Sequence, residues 1–249
     1  MKQIIKGNQT AIILCDLLQH VKIVETDIIK EVQNHGLRVM MTEVDIKNNW
    51  YYFRSLAKQL QDTEQYVDHS IGTAGMMLNA GTFSNEFAKI LLLVSSEFEV
   101  IAKTLCVEAG LKIPWNANIV RITKEIKSNY PHIGDTLIRT PYQSFQPLQN
   151  WTVVQVTNKN GKTEDQLRGM SWWEDHNKIK HNRRNYFQTA HLKNCVDAMA
   201  CLMILELYLS QTALGNVDII TTLGCCYFDC DYGLSHLSVH SRNKLPDFA

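Results

Sequence analysis

The chain has 249 residues, which is long enough to bury a substantial hydrophobic core as one domain, or as one domain with a small appendage. Its 25 Lys and Arg balance its 25 Asp and Glu, and 45% of its residues are hydrophobic. This composition excludes a disordered charged tail and a protein that coats nucleic acid non-specifically, but it leaves room for one local basic patch.

The sequence also predicts a cytoplasmic protein without a membrane segment. The most apolar stretch, 198–209, is interrupted by Glu206 and is much shorter than the roughly 20 residues of a spanning helix. The apolar run near the N-terminus is broken by Asp16 and is followed by no cleavage site of small residues, so we expect no signal peptide. The odd number of cysteines, 7, favours reduced thiols over a disulfide framework.

Residues 1–48 predict a small N-terminal appendage of mixed structure. His35 and Gly36 form a stop signal for a short helix, and the alternating residues 37–44 then predict a strand. From residue 49 onward helical periodicity dominates, beginning with an amphipathic pattern over 51–69.

The clearest helical pattern lies between Ser84 and Ala109, where apolar residues recur at spacings of three and four. Ser84 can cap the start of this helix, and Gly110 occupies the position that commonly follows a helix end. A shorter helix is expected over 117–129. The stretch that follows has no helical period, and a short β-like insertion with a turn is predicted near 152–161.

Two more helices are predicted before the C-terminal tail. Ser171 and Glu174 have the spacing of a capping box, so we expect a helix to begin there. Thr189 can cap the long apolar helix that follows. The predicted fold class is therefore mainly α, a helical bundle over 49–215, followed by a Cys/His-rich tail over 216–249.

One segment interrupts the even distribution of charge. Between His176 and Val196 the sequence has five Lys or Arg, three His and no acidic residue. Such a run is either a solvated helix face or a surface that binds phosphate groups. On a helical wheel, Trp172 and Ile179 join His176 on a side that predicts core. A second side carries a polar face that consists of Trp173, Asn177, Lys180, His181 and Arg184.

The stretch His176-Asn-Lys-Ile-Lys-His181, placed before a final long helix, resembles the motif of the HEPN superfamily. Members of that family are all-helical domains, and many are metal-independent ribonucleases that act as dimers. The family motif is Arg, a polar residue, three variable residues and His. Here Asn177 takes the polar position and His181 the catalytic position, while His176 stands where the family has Arg. The resemblance covers about residues 50–215 and extends to uncharacterised bacterial and phage-defence proteins.

This resemblance implies a homodimeric, metal-independent endoribonuclease in a defence or toxin context, with no cofactor. A 2′-hydroxyl would attack the adjacent phosphate, with His181 as general acid or base, Asn177 as a positioning group and Arg184 as a source of positive charge. Contacts to RNA or to a nucleotide are expected from four neighbouring residues, Lys178, Lys180, Arg183 and Trp173. Because His176 replaces the motif Arg, a non-catalytic HEPN-like protein that binds nucleic acid, nucleotide or protein is the alternative.

Two further groups of residues have both a functional and an ordinary interpretation. Glu97 or Glu99 could pair with the basic segment and orient it, or could form ordinary surface ion pairs. The tail has ligand types that suit zinc at Cys226, Cys230, His236 and His240. Their central spacing is much shorter than in common zinc sites, so we expect no metal there.

Overall fold

The structure, a computed structural model, describes residues 40–114, 116–230 and 245–248. In that part of the chain six α-helices account for most of the structure, so the predicted mainly α fold class is confirmed. None of the helices in these ranges is long and apolar enough to cross a lipid bilayer. The expectations for residues 1–39 and for the zinc ligands His236 and His240 lie outside the described residues.

The first helix, α1, spans Glu43–Asp62 and begins earlier than predicted. Thr42 caps its start, because the Thr42 hydroxyl accepts a hydrogen bond from the backbone N–H of Asp45. The Asp45 carboxylate in turn accepts one from the backbone N–H of Thr42, at 2.8 Å. The predicted strand over 37–44 is therefore wrong at its end, and the predicted boundary at residue 48 falls inside a helix.

A 3₁₀ turn over Thr63–Gln65 ends this helix, several residues before the predicted limit of 51–69. The Thr63 hydroxyl donates to the carbonyl of Leu60 at 2.7 Å, so it accepts from Nε2 of the buried His69 at 2.9 Å. Nδ1 of His69 then carries no proton and accepts from the Tyr227 hydroxyl at 2.8 Å. Burial lowers the pKa of His69, which agrees with a neutral ring. This chain of bonds joins the end of α1 to the C-terminal tail.

The centre of the fold is the long helix α5, Leu192–Leu214, which is buried on every side along most of its length. Its main packing partner is α2, Asn85–Glu108, and α1 also packs against it. The prediction for α2 is confirmed. The Ser84 hydroxyl accepts from the backbone N–H of Phe87 at 3.0 Å, and Gly110 follows the helix end with a φ of 77°.

A β-hairpin packs against the short helix α3, Ile119–Asn129. Its strands are β3, Thr152–Thr157, and β4, Thr163–Arg168, so the predicted β-like insertion is confirmed and extends further along the chain. Gly169, which leaves the hairpin, has a φ of 81°, and an added Cβ would lie 1.9 Å from the Asn150 carbonyl oxygen. Only glycine fits this turn into the next helix.

The described part of the tail belongs to the fold. It contains a short helix, α6, Asp218–Leu223, and a strand, β5, Asp229–Cys230. The antiparallel sheet that β5 completes has the strand order β2-β1-β5, where β1 is Ile138–Arg139 and β2 is Ser144–Phe145. Phe228, just before β5, is buried in the core. The predicted tail is therefore packed against the helices up to residue 230.

Candidate nucleic-acid interface

The basic segment lies on α4, Ser171–Tyr186, whose start differs from the prediction. Met170 occupies the N-cap position and no side chain caps the helix, so the expected capping box of Ser171 and Glu174 is wrong. The helix is fixed instead by packing, because the Trp172 ring lies 5.1 Å from the ring of Phe98 on α2 in an edge-to-face contact. Tertiary packing has replaced local capping as the cause of this helix start.

The inner side of α4 is buried as the helical wheel predicted, with Trp172, His176 and Ile179 all in the core. Trp173 is also buried, with only 7% of its surface exposed, and its ring contacts Phe98 and His176. Trp173 therefore has little exposed surface for the predicted contact with RNA. Phe98 reaches both indole rings, which draws the second tryptophan off the polar face and into the core.

His176, at the position of the motif Arg, is buried and neutral. Burial and the neighbouring Lys180 lower its pKa to about 4, although Glu99 opposes the shift. Its Nδ1 atom is buried and has no hydrogen-bond partner in the described chain. This position therefore supplies no positive charge to a phosphate at neutral pH.

Asn177 uses its amide within the helix. Its Nδ2 donates to the carbonyl of Trp173 at 3.1 Å, one turn earlier, and the side chain is half-buried. One of the two N–H groups expected to position a phosphate is thus engaged. The second N–H and the amide oxygen have no hydrogen-bond partner in the described residues.

A kink at Asn182 separates His181 from the two arginines. The backbone of Asn182 is far from helical, with φ −150° and ψ 60°. The predicted polar face assumed a continuous helix, so its extension to Arg184 is wrong. Beyond the kink, Arg183 donates to Asn85 Oδ1 at 2.6 Å, and its guanidinium group lies 5.2 Å from the centre of the Phe187 ring.

Three exposed side chains near the kink are available to a ligand. Lys180, His181 and Arg184 make no hydrogen bond or ion pair with any residue of the described ranges. Lys178 is exposed as well, but its ammonium group bonds the Asp175 carboxylate at 2.8 Å. The interface that the structure offers is therefore smaller than predicted and centres on these three groups.

Two residues that hold the segment in place were missed. Asn194 is almost fully buried, and its Nδ2 donates both to Asp175 Oδ2 and to the carbonyl of Thr189, each at 2.9 Å. The cap of α5 is His191, whose Nδ1 accepts from the backbone N–H of Asn194, so the predicted cap at Thr189 is wrong. The signal for this was an amide side chain in the first turn of a helix that is otherwise mostly apolar.

The two glutamates considered as orienting groups do not pair with the exposed cations. Glu99 forms an ion pair with Lys103 at 2.7 Å on its own helix. Its negative charge also acts on His176, where it opposes the lowering of the pKa. Glu97 is half-buried and lies close enough to Glu206 to raise the pKa of that carboxyl group. Of the two interpretations, pairing with the basic segment is wrong, and the ordinary ion pair is confirmed for Glu99.

Fold and interface together define a mainly α-helical protein with an exposed, kinked basic segment beside its central helix. Comparison with protein-family models, curated proteins and solved structures finds no match to this chain. Within the described ranges no group of three or more His, Cys, Asp or Glu side chains is placed to hold a metal ion. Membership of the HEPN superfamily stays a prediction.

Proposed function

We propose that the protein binds RNA through the exposed basic segment and cleaves it without a metal ion, with His181 as general acid or base. The observation that carries this proposal is the exposed imidazole of His181 close in the sequence to two exposed cations, Lys180 and Arg184, none of which has an ion-pair partner among the described residues. Lys and Arg side chains bind phosphate oxygens whatever the base sequence of the RNA. An imidazole can exchange protons near neutral pH.

The reaction needs two proton transfers at one phosphate. A base removes the proton of the 2′-hydroxyl, whose oxygen forms a bond to phosphorus, and an acid protonates the departing 5′-oxygen. The products are a 2′,3′-cyclic phosphate and a free 5′-hydroxyl, and no oxidant or metal is required. A homodimer that places two copies of His181 at one phosphate provides both groups, and this arrangement is part of the proposal.

Two observations favour a second candidate, a protein that binds RNA without cleaving it. His176 is neutral and buried where the HEPN motif has Arg, and one N–H of the Asn177 amide is bonded to the helix backbone. The first feature removes a positive charge that would stabilise the transition state, and the second leaves Asn177 a single N–H for that purpose. A protein of this kind keeps the cations that bind phosphate groups but does not catalyse cleavage of the RNA.

The two candidates differ in one experiment, incubation of the purified chain with mixed RNA in EDTA. Cleavage that is lost in His181→Ala and kept in His132→Ala, which removes another exposed imidazole, supports the nuclease. Intact RNA with the wild-type protein refutes it and leaves the binding protein.

RNA binding itself is tested by charge reversal. We expect Lys180→Glu and Arg184→Glu each to weaken binding of a single-stranded RNA and to reduce the slope of log affinity against log salt by about one. The matched control is Lys159→Glu in the hairpin turn, which is exposed and should leave both quantities unchanged. Equal effects of all three changes would contradict a specific interface.

A further inference from the structure

A cleft of about 500 Å³ opens between the end of α1 and the start of α2. Its floor is formed by the buried ring of Phe87. At its edge stands Tyr66, a large aromatic side chain that is 86% exposed. A cavity of this size is large enough for a nucleotide, and an exposed aromatic ring is a platform on which a base can stack.

The cleft lies next to the basic segment. Ser84 and Glu86 line it, and Asn85 between them accepts the hydrogen bond from Arg183. A second link is the edge-to-face contact of Phe83 with Phe187, whose ring centroids are 5.5 Å apart. The first turn of α2 therefore adjoins both the cleft and the arginine side of the kink.

Two of the polar side chains that line the cleft, the carboxylates of Asp62 and Glu86, can only accept hydrogen bonds. The amides and hydroxyls of the other polar lining residues can accept or donate, namely Gln59, Thr63, Gln65 and Ser84. Each carboxylate forms an ion pair with a lysine of its own helix, Asp62 with Lys58 and Glu86 with Lys89. Since a carboxylate has about four acceptor sites, both retain capacity for a ligand.

From this set we infer that the cleft binds a guanine base, and that it selects guanine nucleotides in the strand held by the basic segment. Guanine has two adjacent donors on its Watson–Crick edge, N1–H and N2–H₂, which match one carboxylate. Adenine and cytosine have an amino donor next to an acceptor, and uracil has a single N–H between two carbonyl groups. Selection within RNA depends on the proposed function above, whereas binding of the base in the cleft does not.

The test is calorimetric titration of the full chain with GMP, AMP, CMP and UMP. We expect GMP to bind at least about tenfold more tightly than the others, because a base without two adjacent donors cannot form the paired hydrogen bonds to a carboxylate of the cleft. Tyr66→Ala should weaken GMP binding by about tenfold, in line with the loss of one stacked base. Glu86→Gln should reduce the preference for GMP over AMP.

Matched controls exist on α1. Tyr52→Ala removes another exposed tyrosine, and Glu43→Gln removes a lysine-paired glutamate in the first turn of a helix. Both should bind GMP as the wild type does. Equal affinity for the four nucleotides, no GMP binding at millimolar concentration, or full binding by Tyr66→Ala and Glu86→Gln overturns the inference.

The cleavage assay in EDTA keeps the two proposals separate. RNA that is bound or cut with no preference for guanine preserves the proposed function and contradicts the guanine cleft. Selective binding of GMP by a chain that leaves RNA intact supports the guanine cleft and contradicts the proposed cleavage of RNA.

Discussion

Replacement of Glu206 by methionine should stabilise the protein, and increasingly so as the pH rises. Glu206 lies in the middle of α5 with 0% of its surface exposed. Neither carboxylate oxygen has a hydrogen-bond partner in the described chain. Burial, together with the nearby Glu97, raises the pKa of Glu206 well above its ordinary value of 4.5. Methionine has a similar length and no polar group to desolvate.

The expected gain has two parts. A buried neutral polar group without a partner costs about 1–3 kcal/mol, and Glu206→Met removes that cost. The second part is linked to pH. Because folding raises the pKa of Glu206, the folded protein keeps this carboxyl group neutral at pH values where the unfolded chain ionises it, so stability falls as the pH rises from the ordinary pKa of 4.5 toward the raised value. The steepest loss is about 1.4 kcal/mol per pH unit, and the variant does not suffer it.

Guanidinium denaturation at several pH values between 4.5 and 8 measures both parts. The difference in free energy of unfolding between Glu206→Met and wild type should be positive at pH 4.5 and should widen with pH. Glu43→Met, on the exposed side of α1, is the control and should follow the wild-type profile. Parallel profiles for Glu206→Met and wild type would show that the carboxyl group is not desolvated, and a less stable variant would show that it has a partner.

Two further predictions concern the surroundings of the basic segment. Because folding lowers the pKa of His176 to about 4, its neutral ring contributes stability above the ordinary histidine pKa of 6.5 that is lost as the pH falls toward 4. His69 and His191, whose pKa values burial also lowers, contribute in the same direction, so the acid slope of Glu206→Met should become smaller in Glu206→Met/His176→Phe, and an unchanged slope would refute the assignment. Asn194→Ala should lower the free energy of unfolding by about 1.5–3 kcal/mol, since it removes one donor of the Asp175 carboxylate, which keeps only Lys178, and the donor of the partly buried Thr189 carbonyl. Asn185→Ala at an exposed position should have little effect in the same urea titration.

Helical periodicity predicted the elements that bury one continuous apolar stripe. The limits of α2 follow from Ser84, Gly110 and the spacing of apolar residues between them, because all three signals are local. The hairpin was found for the same reason, since β-branched residues and a turn sequence lie side by side in the chain.

The predicted helix starts were wrong where contacts with distant residues determine the first residue of the helix. Ser171 and Thr189 have the side chains of good caps, but the chain enters α4 at Met170 and α5 at His191. In the first case Phe98, more than seventy residues earlier, anchors the helix through Trp172. No local pattern contains that contact, so capping rules applied to sequence alone selected the wrong residue.

The same limit applies to the interface. A helical wheel requires unbroken helical dihedral angles, and the non-helical backbone of Asn182 removes Arg184 from the face that carries Asn177 and His181. Asparagine tolerates such conformations better than most residues, but the sequence does not indicate which of several asparagines adopts one. The exposed cations were recognisable from charge alone, whereas their arrangement was not.

Burial of the two tryptophans limits which side chains of the basic segment can take part in the proposed binding and cleavage of RNA. With Trp172 and Trp173 held against Phe98, the first turns of α4 are fixed, and the side chains left in solvent are those just before and after the kink. Binding of a phosphate backbone needs only their positive charge, which tolerates movement of several ångströms. The proposed proton transfer by His181 requires hydrogen-bond geometry at one phosphate, so under that proposal a second copy of the chain or the bound RNA completes it.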